Sequence, residues 1–149
     1  MSYGAPTTSA AASVLLVDGT VLEGSLHLHS DARGVGGFET IQHLLDDPDP
    51  FFAMTLASGE VALVRKARVV EVRCRGHAAE TLPGVTEVMA EFLLVTGDRR
   101  AAIALWAAPP ARRRTLDLLN LSEGFLRLGD EGGVFYLNTS YIAAAFPVE

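Results

Sequence analysis

The chain has 149 residues, 49% of them hydrophobic, which suffices for one well-buried domain or two very small ones. A net charge of −6 weighs against a protein whose main work is gripping a phosphate backbone, because that binding runs on Lys and Arg displacing counterions. The single cysteine, Cys74, excludes an intrachain disulfide and a cysteine-rich zinc site, and no stretch approaches the roughly 20 apolar residues of a membrane span.

Residues 1–12 are small and polar without periodicity and predict a mobile tail, with order beginning near Ser13. They carry no basic segment ahead of the apolar run and so no secretory signal, which predicts a cytoplasmic protein. "VLLVDGTVLEGSLHL" reads as a hairpin: an apolar strand, an Asp-Gly turn, and a strand in which Val21, Glu23, Ser25 and His27 alternate with leucines. A Gly-rich loop follows, then "FETIQHLLDD" as a helix of about two turns stopped by Pro48 and Pro50. Three short strands come next, Phe51 to Leu56, Val61 to Val64 and Val69 to Val72, with Ser58-Gly59 turning the first pair.

The second half repeats this plan. A spacing of 74 residues pairs Leu44 with Leu118, Leu45 with Leu119, Phe51 with Phe125, Gly59 with Gly133 and Leu63 with Leu137, without a gap from Leu44 to Val72. The opening hairpin recurs as "LLVDG" at 15–19 and "LLVTG" at 93–97, a spacing of 78. The expected organisation is therefore a tail (1–12), a first β-rich repeat (13–74), a linker (75–87) and a second repeat (88–149). The fold class is mainly β with short helices: two tandem five-stranded units, each with a helix between its second and third strands. Units of this size are marginal alone, so the two should pack with a pseudo-two-fold relation, as paired barrels or as one continuous sheet.

The strand plan "VLLVDGTVLEGSLHL … FFAMTLASGEVALVRKARVVEV" resembles that of Sm-like, SH3-like small β-barrels, which open with a hairpin and end with two strands joined by a very tight turn. The resemblance covers roughly residues 13–73 and, more faintly, 91–147. It implies a fold and not RNA binding: the family's Asp-x-x-x-Asn loop is replaced by residues 30–47, and its Arg-Gly turn reads "VRKAR" and "NTSY".

Three groups are candidate sites. "LLNLSEGF" resembles the turn of PilZ domains, which bind cyclic di-GMP through an Asp/Asn-x-Ser-x-x-Gly segment and upstream arginines. The matching residues are Asn120, Ser122 and Gly124 with Arg112, Arg113 and Arg114, the spacing being one residue short. The spacing of 74 lays this segment on "LLDDPDPF", which favours an ordinary turn from helix to strand. His27 and His29 share one face of a strand, where His43 or Asp31 can complete a metal site, although no local spacing supplies a third ligand. Aromatics gather in the second repeat, and Tyr136 or Tyr141 is a candidate contact surface.

No nucleophile elbow, phosphate loop or cysteine signature is present, and "GVGGF" at 34–38 fits neither phosphate-loop spacing. The sequence thus predicts a non-enzymatic protein-binding or assembly module of bacterial type, without cofactor. Its expected partner is another protein or a second copy of itself, and no nucleic acid. The alternative is a small-ligand sensor holding an anion or nucleotide near Arg112 to Arg114.

Overall fold

A computed structural model describes residues 7–29, 40–74, 86–106 and 115–148. The first half carries β1 (Thr7–Leu16), β2 (Val21–His29), α1 (Ile41–Asp46), β3 (Phe51–Leu56), β4 (Val61–Arg65) and β5 (Val69–Cys74). The second carries β6 (Thr86–Leu94), β7 (Arg99–Trp106), α2 (Thr115–Leu121), β8 (Phe125–Asp130), β9 (Gly133–Asn138) and β10 (Ile142–Pro147). One-turn 3-10 helices, Lys66–Arg68 and Thr139–Tyr141, lead into β5 and β10.

The protein is mainly β, and the ten strands form one open antiparallel sheet in the order β10-β6-β7-β8-β9-β5-β1-β2-β3-β4. The halves meet where β5 pairs with β9, in the register Glu71↔Leu137, Val72↔Tyr136 and Arg73↔Phe135. Strand β4 ends the sheet on one side and β10 on the other.

Local chemistry sets the turns. Leu16, Leu56 and Leu94 each donate a backbone hydrogen bond to the residue four positions on, closing three-residue loops. The last loop residue is Gly19, Gly59 or Gly97, with φ between 91° and 93°, a left-handed conformation that only glycine adopts without cost. Helix α1 is capped by the Thr40 hydroxyl, which accepts from the His43 N–H at 3.1 Å, and it buries Ile41 and Leu45.

Several expectations change. Order does not wait for Ser13: β1 starts at Thr7, opposite His29. The Ser/Ala-rich stretch hides a period of two, for Ala10, Ala12 and Val14 all turn inward, small side chains on a face with little room. Part of the expected linker, Thr86 and Glu87, belongs to β6, while residues 75–85 lie outside those described. The ungapped spacing of 74 also fails beyond β3. Phe51 sits opposite Arg65, whereas Phe125 sits opposite Asn138, so Arg65 and Asn138 are 73 apart. The β8–β9 turn, closed by Asp130↔Gly133, is one residue shorter than the β3–β4 turn. Leu63 therefore occupies the position of Tyr136 rather than Leu137, and Gly59 has no counterpart in Gly133.

Two apolar cores lie along the sheet. One gathers Val14, Leu26, Leu45, Phe52, Met54 and Val72 from the first half; the other gathers Phe92, Leu94, Leu118, Leu128, Phe135 and Leu137 from the second. Each borrows from the other half. Phe125, Val134 and Tyr136 reach into the first core, and Val70, with Leu15 and Val17, reaches into the second. Strands β5 and β9 are accordingly buried almost throughout on both faces, the charges of Glu71 and Arg73 in β5 being paired.

Candidate functional site

In the segment Leu118 to Phe125, Ser122 and Gly124 serve the turn from helix to strand. The Ser122 hydroxyl donates to the Leu118 carbonyl at 2.6 Å, closing the last turn of α2, and Gly124, at φ 70°, makes the corner into β8. The Gly124 carbonyl accepts from the N–H and the hydroxyl of Thr139. Asn120 is exposed on α2. Arg112, Arg113 and Arg114 lie outside the described residues.

His27 is half-buried, and its Nε2 lies 2.7 Å from the Thr55 hydroxyl across the β2–β3 pair. The His29 side chain and Asp31 lie outside the described residues. His43 sits on the exposed side of α1. Among the described residues no group of three His, Cys, Asp or Glu side chains gathers to hold a metal.

The two tyrosines expected at a contact surface tie the halves of this chain together. Tyr136 is buried against Val72 in the junction, and the Tyr141 hydroxyl donates to the Ala67 carbonyl of the first half. Burial raises the Tyr136 pKa above the ordinary phenol value. Beside it Cys74 is buried too, and its thiol is pushed up to about 11, so it resists ionisation and attack.

The junction also carries an ion network that local sequence does not reveal. Arg73 binds both carboxylate oxygens of Asp130, at 2.9 and 3.0 Å, and its guanidinium lies over the Phe135 ring at 4.3 Å. Glu71, almost wholly buried, accepts from Arg100 Nε at 3.0 Å and lies 3.5 Å from Arg73. The hydrogen bond from Arg73 holds the Asp130 carboxyl below its usual pKa. Strands β5, β7 and β8 are thereby pinned at one place, and β9 joins them through the Phe135 ring. The only sequence signal was the charge of Glu71 and Arg73 within an apolar strand.

A groove of about 740 Å³ opens next to this network, lined by Arg73, Glu87, Met89, Ala101, Ile103 and Asp130 among others. Its origin is a short ladder. Strands β7 and β8 pair only at Ile103↔Gly129 and Ala104↔Leu128, while β2 and β3 continue to Gly24↔Leu56. The extra pair needs Gly24, because a Cβ there would lie 2.0 Å from the Thr55 carbonyl oxygen. The residue 78 positions on is Ala102, and the ladder ends before it. Of the charged residues that bound the groove, Arg73 and Asp130 are engaged with each other, and Glu87 and Glu131 complete its polar rim.

The remaining unusual surface is at the sheet's two ends. At β4 and its neighbour β3 the large apolar side chains of Val61, Leu63 and Phe51 face solvent; on β10 Phe146 does the same. Their backbones are open as well. The Glu60 carbonyl accepts from the Leu56 N–H and the Lys66 N–H donates to the Pro50 carbonyl just ahead of β3, so by strand alternation the N–H and C=O of Val61, Leu63 and Arg65 point outward. The Val148 N–H donates to Met89 on β6, and the same alternation turns Ala145 outward on β10. Among the described residues no helix is long and apolar enough to cross a membrane. Comparison with protein-family models, curated proteins and solved structures returns no match to this chain.

Proposed function

We propose that the chain is two copies of one five-stranded, Sm-like unit, and that it works as a non-enzymatic assembly module whose open sheet edges take up further strands. The observation that carries this reading is the apolar surface on a strand that ends the sheet among the described residues: Leu63 is 73% and Val61 60% exposed on β4. Edge strands are ordinarily blunted by charge, proline or a bulge, and a run reading Val-Ala-Leu-Val lacks such protection until Arg65. Duplication is supported by the strand order, since β5-β1-β2-β3-β4 and β10-β6-β7-β8-β9 place equivalent strands in the same sequence. It is supported further by the matching 3-10 turns, which precede the last strand of each half.

The test is the mass of the purified chain in solution by sedimentation across a wide concentration range. A mass above that of one chain, rising with concentration, is expected. A single-chain mass throughout, with no strand-forming partner that adds to β4 or β10, refutes the reading.

A further inference from the structure

The internal junction provides a template for each edge. Half two inserts three side chains into the core of half one: Phe125, Val134 and Tyr136, which are 6%, 3% and 6% exposed. At the spacings read from the hydrogen-bonded registers, 74 in β3 and 73 in β4, their counterparts are Phe51, Val61 and Leu63. Those three are 42%, 60% and 73% exposed. The side chains that half two buries in its neighbour are thus the ones half one leaves bare, with an aromatic ring and a Val conserved in kind and Leu in place of Tyr.

The receiving side repeats as well. β1 pairs β5 through Val14↔Val72 and β6 pairs β10 through Phe92↔Ala145, so Val72 and Ala145 are equivalent, again 73 apart. Val17, which half one adds to the second core, has Val95 as its counterpart, and Val95 is exposed. Helix α1 extends the receiving surface. The Gln42 amide donates to the Phe125 carbonyl at 2.8 Å, and Asp46 Oδ1 lies 3.5 Å from the Phe125 N–H. Their counterparts on α2 are Leu116 and Asn120, both exposed.

We infer that a second copy of this chain lays its β4 against β10, in the register Ala145↔Leu63 with Ala144↔Val64 and Phe146↔Ala62, repeating between molecules the β5·β9 junction within one. The inference rests on the duplication and assembly reading above. Ala145 and Leu63 both present free N–H and C=O groups and form the doubly hydrogen-bonded pair, as Val72 and Tyr136 do inside the chain. Pro147 takes the place of Cys74, one residue beyond the last register pair of the internal junction, so its missing N–H costs none of the three pairs. In the complex Phe51, Val61 and Leu63 enter the second core of the neighbour, and Asn120 meets the Phe51 backbone. Because different edges meet, the contact is head-to-tail, and each added copy leaves one β4 and one β10 free until a ring closes.

The experiment uses three full-length samples under mild oxidation: Leu63→Cys alone, Ala145→Cys alone, and the two mixed. A hydrogen-bonded antiparallel pair sets its Cα atoms about 5.5 Å apart, within disulfide reach. Cys74 stays buried and takes no part. The expected result is a cross-link joining one chain of each variant in the mixture and none in either variant alone. Alongside, Leu63→Asp is expected to weaken association at least about tenfold, with the melting temperature of the isolated chain unchanged. Met89→Asp, an exposed apolar residue with no counterpart in the junction, is expected to leave the mass as it was. A cross-link in Leu63→Cys alone overturns the head-to-tail register in favour of a β4–β4 pair. An assembly that Leu63→Asp does not disturb, or that gives no mixed cross-link, overturns this inference while the assembly reading stands. A single-chain mass at every concentration overturns both.

Discussion

Strands β9 and β4 hold equivalent places in their halves, yet β9 is buried almost throughout and β4 only at Val64. Both are apolar runs that a parallel-sheet core or a doubly covered strand would carry. The difference lies in the neighbour. Strand β9 has β5 beside it, so Tyr136 packs on Val72 and Phe135 under Arg73, whereas no described strand lies beyond β4. Similar residue patterns thus reach opposite burial according to what lies beside them.

Substitutions at matched positions test that contrast most directly. Phe125→Ala removes a ring from the first core and should cost about 3 to 5 kcal/mol. Phe51→Ala, at the exposed equivalent, should cost under about 1 kcal/mol, mostly its contact with Arg65 at 4.4 Å. Urea unfolding at a concentration low enough to separate chains checks both, and equal losses would end the comparison.

Glu71→Ala comes next in size. It strips a buried carboxylate from Arg73 and Arg100 and leaves those two guanidinium groups facing one another, so a loss of about 3 kcal/mol is expected. Its counterpart Ala144 carries no such network, and Ala144→Ser should change stability by less than about 0.5 kcal/mol.

Gly24→Ala brings the comparison of halves to the ladder ends. The added methyl meets the Thr55 carbonyl, so β2 and β3 must part at Gly24↔Leu56, which copies the situation at Ala102. A loss of about 1 to 3 kcal/mol is expected. Amide exchange should show the β2–β3 bonds nearest that end opening first, with the β1–β2 bonds unaffected.

The smallest effect is read in alkali. The Cys74 thiol has a folded pKa of about 11 against an ordinary 9.0. The raised folded value means its contribution is fully present below pH 9 and is lost as pH rises from there through about 11. Tyr136, also raised by burial, adds to the loss at the same junction. The slope of stability against pH in that window should flatten in Cys74→Ala. A free thiol that reacts as fast in the native protein as in urea would contradict the burial.

Much of the strand layout was legible because alternation and turn residues are local signals. Val14 to Leu28 read as a hairpin, with Gly19 at its turn, and the three strands from Phe51 to Val72 stood out from their breakers. The reading stopped short at Thr7–Ala12, where alanines carry a core face that composition masks. It slipped by one at the β8–β9 turn, where Gly59 and Gly133, and Leu63 and Leu137, are identical letters in inequivalent places. Hydrogen-bonded register decides such cases, since one residue more or less in a loop moves every side chain beyond it to the other face. The site residues were less legible. Tyr136 and Tyr141 were found as aromatics but not as internal ties, and Arg73, Asp130 and Arg100 are brought together from three separate strands.

The sequence alone determined that this chain is β-rich, where its hairpins turn and which faces of most strands are apolar, because those depend on residues a few positions apart. Only the tertiary structure decided that β5 meets β9, that Asp130 answers Arg73, and that Leu63 rather than Tyr136 is left bare. Which strand lies beside another depends on contacts far apart in the chain, and an apolar strand looks the same in sequence whether its neighbour belongs to its own chain or is still to come.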